Sequence, residues 1–96
     1  MGSSEARYRV GKGVTVDQVQ AVIAEVGDHP DDRTWAEARR DTAKWAVADD
    51  YPVILAVYGP DAYTYREQVG QVIRNRYNVH VVDIEDLDPV RYGFPP

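Results

Sequence analysis

The most apolar run in the chain lies at residues 51–58, and a Gly-Pro-Asp turn interrupts it. An apolar stripe at helical spacing then continues to Tyr77, and a second strand pattern begins at residues 79–84. The central run is apolar on both faces, which is typical of a strand covered on two sides. The pattern therefore predicts a βαβ unit over residues 51–84, with parallel, adjacent strands joined by a right-handed crossover.

A strand and a capped helix precede this unit. Residues 6–10 alternate apolar side chains with arginines, which is the period of a half-exposed strand. Thr15 and Gln18 stand at the spacing of a capping box, and the apolar residues after them fall on one arc of a helix. Gly27 supplies a left-handed stop. The sequence therefore predicts a strand, a turn and a helix that ends near Gly27.

A second helix is predicted from about Asp32 or Thr34 to Ala48. Thr34 and Glu37 repeat the capping-box spacing, and one helical arc is made of Trp35, Ala38, Thr42, Trp45 and Ala46. On such a helix Trp35 and Arg39 are four residues apart and can stack.

The third predicted helix contains a glycine in its middle. Gly70 costs up to about 1 kcal/mol against alanine there, and a close approach of another backbone would explain it. Arg66 and Arg74 flank the glycine on the same side of the helix, and Asn78 is a suitable left-handed stop.

Together these elements predict a small single α/β domain over residues 6–88, with the order β-α-α-β-α-β. Its three-stranded sheet contains the parallel βαβ unit, and the helices pack on it. Residues 1–5 are expected to be disordered or a scar of an expression tag. Residues 89–96 carry three prolines and two aromatic side chains, so we expect an irregular tail.

Composition restricts the setting and the partners. The formal charge of −5 and the pI of about 4.8 argue against binding of nucleic acid through a general positive surface. The chain has no cysteine and no apolar run long enough to span a bilayer, so we expect a protein of a reducing cytoplasm and no membrane contact. The excess of arginine, valine, alanine and aspartate is typical of a GC-rich bacterial or phage genome.

No motif for catalysis, cofactor or metal is present. The only glycine–lysine element, at residues 11–13, lacks the other residues of a phosphate loop. The aspartates around His29 do not have the spacing of a calcium loop, and His80 is expected to be an ordinary strand residue. The sequence therefore predicts no cofactor and no metal, and it favours a non-catalytic protein over an enzyme.

The favoured hypothesis is a small acidic protein-interaction module, such as a regulator, inhibitor or assembly accessory. Seven tyrosines against one phenylalanine suit half-exposed positions and interfaces. The predicted contact residues are Trp35, Arg39, Tyr92 and Phe94. The partner would be another protein, or a second copy that pairs along an open strand edge.

The alternative hypothesis is a small ligand-binding or catalytic α/β domain. In an open parallel sheet, ligands bind beyond the carboxyl ends of the strands. That edge would carry Tyr58, Asp61 and Asp83, whose acidic character suits a cation, an amine or a basic partner.

Overall fold

The computed structural model describes residues 2–27, 31–39 and 50–83. These residues form four strands and two helices, in the order β1 (Ser4–Val10), α1 (Val16–Val26), β2 (Arg33–Ala38), β3 (Val53–Gly59), α2 (Ala62–Tyr77) and β4 (Val81–Asp83). β1 thus begins ahead of its predicted start at Ala6. The predicted tail lies outside the described residues. Within them, neither helix is both long and apolar enough to cross a membrane.

The strands form one sheet in the order β2-β3-β1-β4, and every neighbouring pair is antiparallel. The element order β-α-β-β-α-β is that of the split βαβ, or ferredoxin-like, arrangement. β3 and β4 run in the same direction, but β1 lies between them. The small α/β domain is therefore confirmed, whereas the three-stranded sheet with adjacent parallel strands is wrong.

β1 takes the central position because it can pair along its whole length. Its seven residues are in register with β3 from Ser4 opposite Gly59 to Val10 opposite Val53. Antiparallel pairing is slightly more stable per residue than parallel pairing. β1 also contributes buried apolar side chains to the helix-covered face, so its insertion adds both ladder hydrogen bonds and core contacts.

The second predicted helix is wrong over residues 33–38, which form the edge strand β2. Its remainder, residues 40–48, lies outside the described residues. Alanine, glutamate and arginine favour helix intrinsically, but pairing with β3 overrides that weak preference. Along β2 the small side chains face the helices, and the opposite face carries Arg33, Trp35 and Glu37.

Both helices cover one face of the sheet, and the core lies between these layers. Leu55 at the centre of β3 is fully buried, as are Val19 and Val22 of α1 and Val69 and Ile73 of α2. At about 25 cal/mol per Å² of buried apolar surface, each such side chain contributes about 1.5–3 kcal/mol. The helix-covered face is therefore the main source of stability.

The helix ends confirm the local predictions. Thr15 accepts a hydrogen bond from the Gln18 backbone N–H at 3.1 Å, and the Gln18 side chain accepts from the Thr15 N–H at 2.9 Å. Gly27 ends α1 with φ 90°, and Asn78 ends α2 in the left-handed region with φ 54°. These caps satisfy backbone groups that the helices leave unpaired.

A side chain of α1 caps the β2 edge of the sheet. The Arg39 N–H donates to the Pro52 carbonyl at 2.8 Å. In this register the backbone N–H and C=O groups of the odd-numbered β2 residues face β3, whereas those of Ala36 face away from the sheet. The outward Ala36 N–H donates to Gln20 Oε1 at 2.7 Å. One of the groups that could accept another strand is therefore already bonded.

The β4 edge has the corresponding cap from α2. The Gly11 N–H donates to the His80 carbonyl at 2.8 Å, which places the Val81 carbonyl on the outer side of β4. Arg74 donates to that carbonyl from Nη2 at 2.6 Å and from Nε at 3.1 Å. Each edge strand thus has one outward group bonded by a helix side chain.

Candidate functional site

The sheet face opposite the helices carries charged and aromatic side chains in register. Arg33, Tyr58 and Glu5 form one cross-strand row over β2, β3 and β1. Trp35 and Arg7 lie in the next row, on either side of β3. Side chains opposite each other in neighbouring strands are close enough to interact.

One end of this face is accessible and the other is buried. Tyr58 is 50% exposed, and Arg33 beside it is also exposed. Farther along the same face, Arg9 and Ile54 are buried. The accessible aromatic and cationic groups are therefore gathered where β3 ends and β2 begins.

Arg33, Trp35 and Tyr58 form what we call the Arg33 patch. The Arg33 guanidinium lies over the Trp35 ring, 5.1 Å from its centroid. Among the described residues, no carboxylate forms an ion pair with Arg33. The ring restrains the cation, and a guanidinium over an aromatic face can still donate its N–H groups to an acceptor.

The neighbouring carboxylates are engaged by other groups. Arg7 Nε lies 2.6 Å from Glu5 Oε2, and Arg7 Nη1 lies 3.4 Å from Glu37 Oε1. Trp35 Nε1 donates to the same Glu37 oxygen at 3.4 Å. Arg7 therefore balances the acidic side chains of this face, and Arg33 is the cation that faces outward.

Of the four predicted contact residues, the structure describes two. Trp35 lies in the Arg33 patch, whereas Arg39 follows the end of β2. A strand separates their Cα atoms by about 13 Å, so they do not occupy the adjacent helical turns that stacking required. Arg33, two residues from Trp35, takes that place. Tyr92 and Phe94 lie outside the described residues.

The three residues of the alternative site do not converge. Tyr58 lies on the face opposite the helices, while Asp83 lies on the helix-covered face and pairs with Arg66 at 2.7 Å. Asp61 occupies the N-cap position of α2, where its backbone N–H donates to Asp32 Oδ1 at 3.4 Å. Tyr58 and Asp83 are therefore separated by the thickness of the sheet and by β1.

A second polar cluster, on the helix-covered face, was not predicted. The Tyr8 hydroxyl donates to Glu67, and Arg74 Nη1 lies 3.1 Å from the same carboxylate. The Arg66 guanidinium lies 4.0 Å from the centroid of the Tyr8 ring. The sequence signal for this cluster was Gly70, since a Cβ there would lie 2.9 Å from Tyr8 Cε2.

The electrostatics of the Tyr8 cluster favour a fixed protonation state. Burial and the hydrogen bond to Glu67 raise the pKa of the Tyr8 phenol above its usual 10.0. The hydrogen bond from Tyr8, together with Arg74, lowers the pKa of Glu67 below its usual 4.5. The phenol stays neutral and the carboxylate stays charged near neutral pH. This is typical of a structural hydrogen bond rather than of a proton-transfer group.

Comparisons with family models, with curated proteins and with solved structures give no match for this chain. The part of the chain that the structure describes contains no group of three or more acidic or histidine side chains placed to hold a metal ion. The chemistry of the surface is therefore the basis for a functional hypothesis.

Proposed function

We propose that this chain is a small, non-catalytic protein-interaction module, and that its Arg33 patch binds an acidic segment of a partner protein. The observation that carries the proposal is the Arg33 guanidinium, which is stacked on Trp35 and forms no ion pair with a described carboxylate. A regulator, an inhibitor or an assembly accessory would each use such a surface.

The chemistry of the patch supports a carboxylate ligand. A guanidinium presents a planar fork of N–H groups that matches a carboxylate in a bidentate arrangement. Stacking on Trp35 restricts the cation before binding, so less conformational entropy is lost when the partner arrives.

The composition of the patch also supports a protein partner. Tryptophan, tyrosine and arginine are the residues that most often dominate the binding energy of interfaces. Tyr58 stands beside the cation with half of its surface exposed, and it can pack against apolar parts of the partner. The patch thus combines an anchor for charge with an anchor for apolar surface.

The net charge of the chain shapes how such a complex would form. At −5 the molecule repels an acidic partner at long range, so electrostatic steering does not assist the encounter. We therefore expect the affinity to depend on the short-range contacts of Arg33, Trp35 and Tyr58.

The experiment is affinity capture from the source cell with three forms of the full chain. These are the wild type, the patch variant Arg33→Gln/Tyr58→Ala, and the matched control Arg76→Gln. Arg76 is an exposed α2 arginine, paired with Glu25, on the helix side of the molecule. We expect a stoichiometric partner with the wild type and the control, and its loss with the patch variant.

Binding measured by calorimetry should then weaken at least about tenfold in Arg33→Gln alone, which is the value of one charged hydrogen bond. A captured protein that binds the patch variant as tightly as the wild type would contradict the proposal. A chain that ends at residue 88 tests separately whether Tyr92 and Phe94 contribute, as the sequence predicts.

A further inference from the structure

A cleft with polar and charged side chains in its lining opens at the end of the sheet remote from the Arg33 patch. It has a volume of about 420 Å³ and is formed by three separate segments. Lys12 comes from the β1–α1 turn, Asp50 and Tyr51 come from the segment before β3, and Asn78 and His80 come from the α2–β4 connection. Its volume is within the range of small-molecule sites.

Backbone hydrogen bonds hold the three segments together. The Lys12 N–H donates to the Asp50 carbonyl at 3.0 Å, and the Gly11 N–H donates to the His80 carbonyl at 2.8 Å. A Cβ at Gly11 would lie 3.2 Å from the His80 carbonyl oxygen, so glycine permits this close approach. The walls of the cleft are therefore fixed by the main chain rather than by side chains alone.

Two opposite charges face each other in the cleft. Lys12 Nζ lies 2.9 Å from Asp50 Oδ1, and the two side chains are 68% and 51% exposed. An ion pair this accessible to water contributes little net stability. A ligand can therefore replace it at small energetic cost, provided that the ligand supplies a partner for each charge.

Neutral hydrogen-bonding groups stand beside the charged pair. The Tyr51 hydroxyl lies 3.4 Å from His80 Nδ1, and both groups can donate or accept. Because they come from different segments, they can orient a polar ligand from a second direction.

We propose that this cleft binds a small zwitterion of the free amino-acid class, with its carboxylate on Lys12 and its ammonium group on Asp50. A ligand with a single charge can pair with only one member of the ion pair. A zwitterion satisfies both, and its zero net charge avoids repulsion by the acidic chain. Tyr51 and His80 would then contact its polar or side-chain atoms.

This inference is independent of the proposed protein interaction. Tyr51, two residues before β3, and Tyr58 within it are seven positions apart, which corresponds to about 23 Å of extended chain. Failure at one site therefore does not decide the other.

The test is a titration of the ¹⁵N-labelled full chain with the common amino acids, followed by NMR. Concentrations up to about 10 mM would occupy most of a site even if its Kd were ~1 mM. We expect at least one amino acid to shift the amide signals of residues 11–13, 50–51 and 78–80 in a saturable way. Its N-acetyl and methyl-ester forms, which lack one charge each, should bind about two- to fivefold more weakly.

Variants then test which side chain binds each charged group of the ligand. Lys12→Gln and Asp50→Asn should each weaken binding about two- to fivefold, because both groups are exposed to water, while the exposed control Asp31→Asn should leave it unchanged. The proposal is overturned if no amino acid produces saturable shifts, or if the acetylated and esterified forms bind as well as the parent. The ligand series needs only the wild-type chain, so it remains decisive even if a variant fails to fold.

Discussion

The two faces of the sheet carry the same kinds of side chain, but these side chains have different roles on each face. On the helix-covered face, Tyr8 is 7% exposed, is bonded to Glu67 and lies against Gly70. On the other face, Arg7 bridges two glutamates with about a third of its side chain exposed. Aromatic, arginine and glutamate side chains meet on both faces. The two faces differ because the helices form a second layer over only one of them.

That second layer changes the energetic weight of each contact. Under α2, Tyr8 is buried, so the loss of Glu67 would leave the Tyr8 hydroxyl with little access to water, which costs more than the bond itself is worth. On the other face, water can replace a broken ion pair. The comparison teaches that composition alone does not tell a structural cluster from a surface, so mutations should separate them.

The largest expected effect is at Gly70. In Gly70→Val, the new side chain would overlap the Tyr8 ring and force the helix or the ring to move. We expect a loss of about 2–3 kcal/mol in the free energy of unfolding, measured by urea denaturation. Gln68→Val on the exposed side of the same helix introduces the same residue without the overlap and should cost far less. Equal losses would show that valine in the helix, and not the Tyr8 contact, is responsible.

The next effect concerns the Tyr8 hydroxyl. Tyr8→Phe keeps the ring against Gly70 and removes the hydrogen bond to Glu67. We expect a loss of about 1–2 kcal/mol, since the acceptor is charged. A double-mutant cycle with Glu67→Gln should reveal coupling between the two sites. Additive losses would mean that the two groups act independently.

The pH dependence gives a smaller and directional effect. Because the pKa of Glu67 is lowered on folding, its contribution is complete above its usual 4.5 and is lost as the pH falls through the folded value. The stability difference between the wild type and Glu67→Gln should therefore shrink in acid. For Tyr8 the pKa is raised, so its contribution holds below 10.0 and is lost at higher pH. Urea midpoints of the wild type and the variants across the pH range check both expectations. A stability difference that does not change with pH would argue against a contribution from these two pKa shifts.

The smallest effect is expected on the other face. Arg7→Gln breaks the ion pairs to Glu5 and Glu37, yet it should lower stability by less than about 1 kcal/mol. Thermal unfolding alongside Tyr8→Phe provides the comparison. If the loss in Arg7→Gln exceeded that in Tyr8→Phe, the proposed contrast between the faces would be wrong.

Local features of the fold could be predicted from the sequence where short-range chemistry decides them. The capping box of Thr15 and Gln18 and the left-handed Asn78 depend on neighbouring residues only. Gly70 signalled a close approach, although the sequence could not show that a ring rather than a backbone makes it. Such signals act within a turn or two of helix.

Long-range features could not be predicted in the same way. Residues 33–38 have helical propensity and form a strand because β3 provides a partner, and nothing local reveals that partner. The Arg33 patch was found only in part, because Trp35 was predicted to stack with Arg39 on a helix. The Tyr8 cluster and the cleft combine segments far apart in the chain, and their members have no characteristic spacing.

The central position of β1 has a consequence during synthesis. Of the described elements this strand is the first to be translated, yet its neighbours are β3 and, 71 positions after Val10, the β4 residue Val81. At about 5–20 residues per second, the ribosome needs roughly 4–14 s to add that stretch. During this interval the nascent chain carries a strand that has one apolar face and at least one unpaired edge. The domain can close only when nearly all of the described chain has been made, so a product truncated before β4 would expose the strand on which the sheet is built.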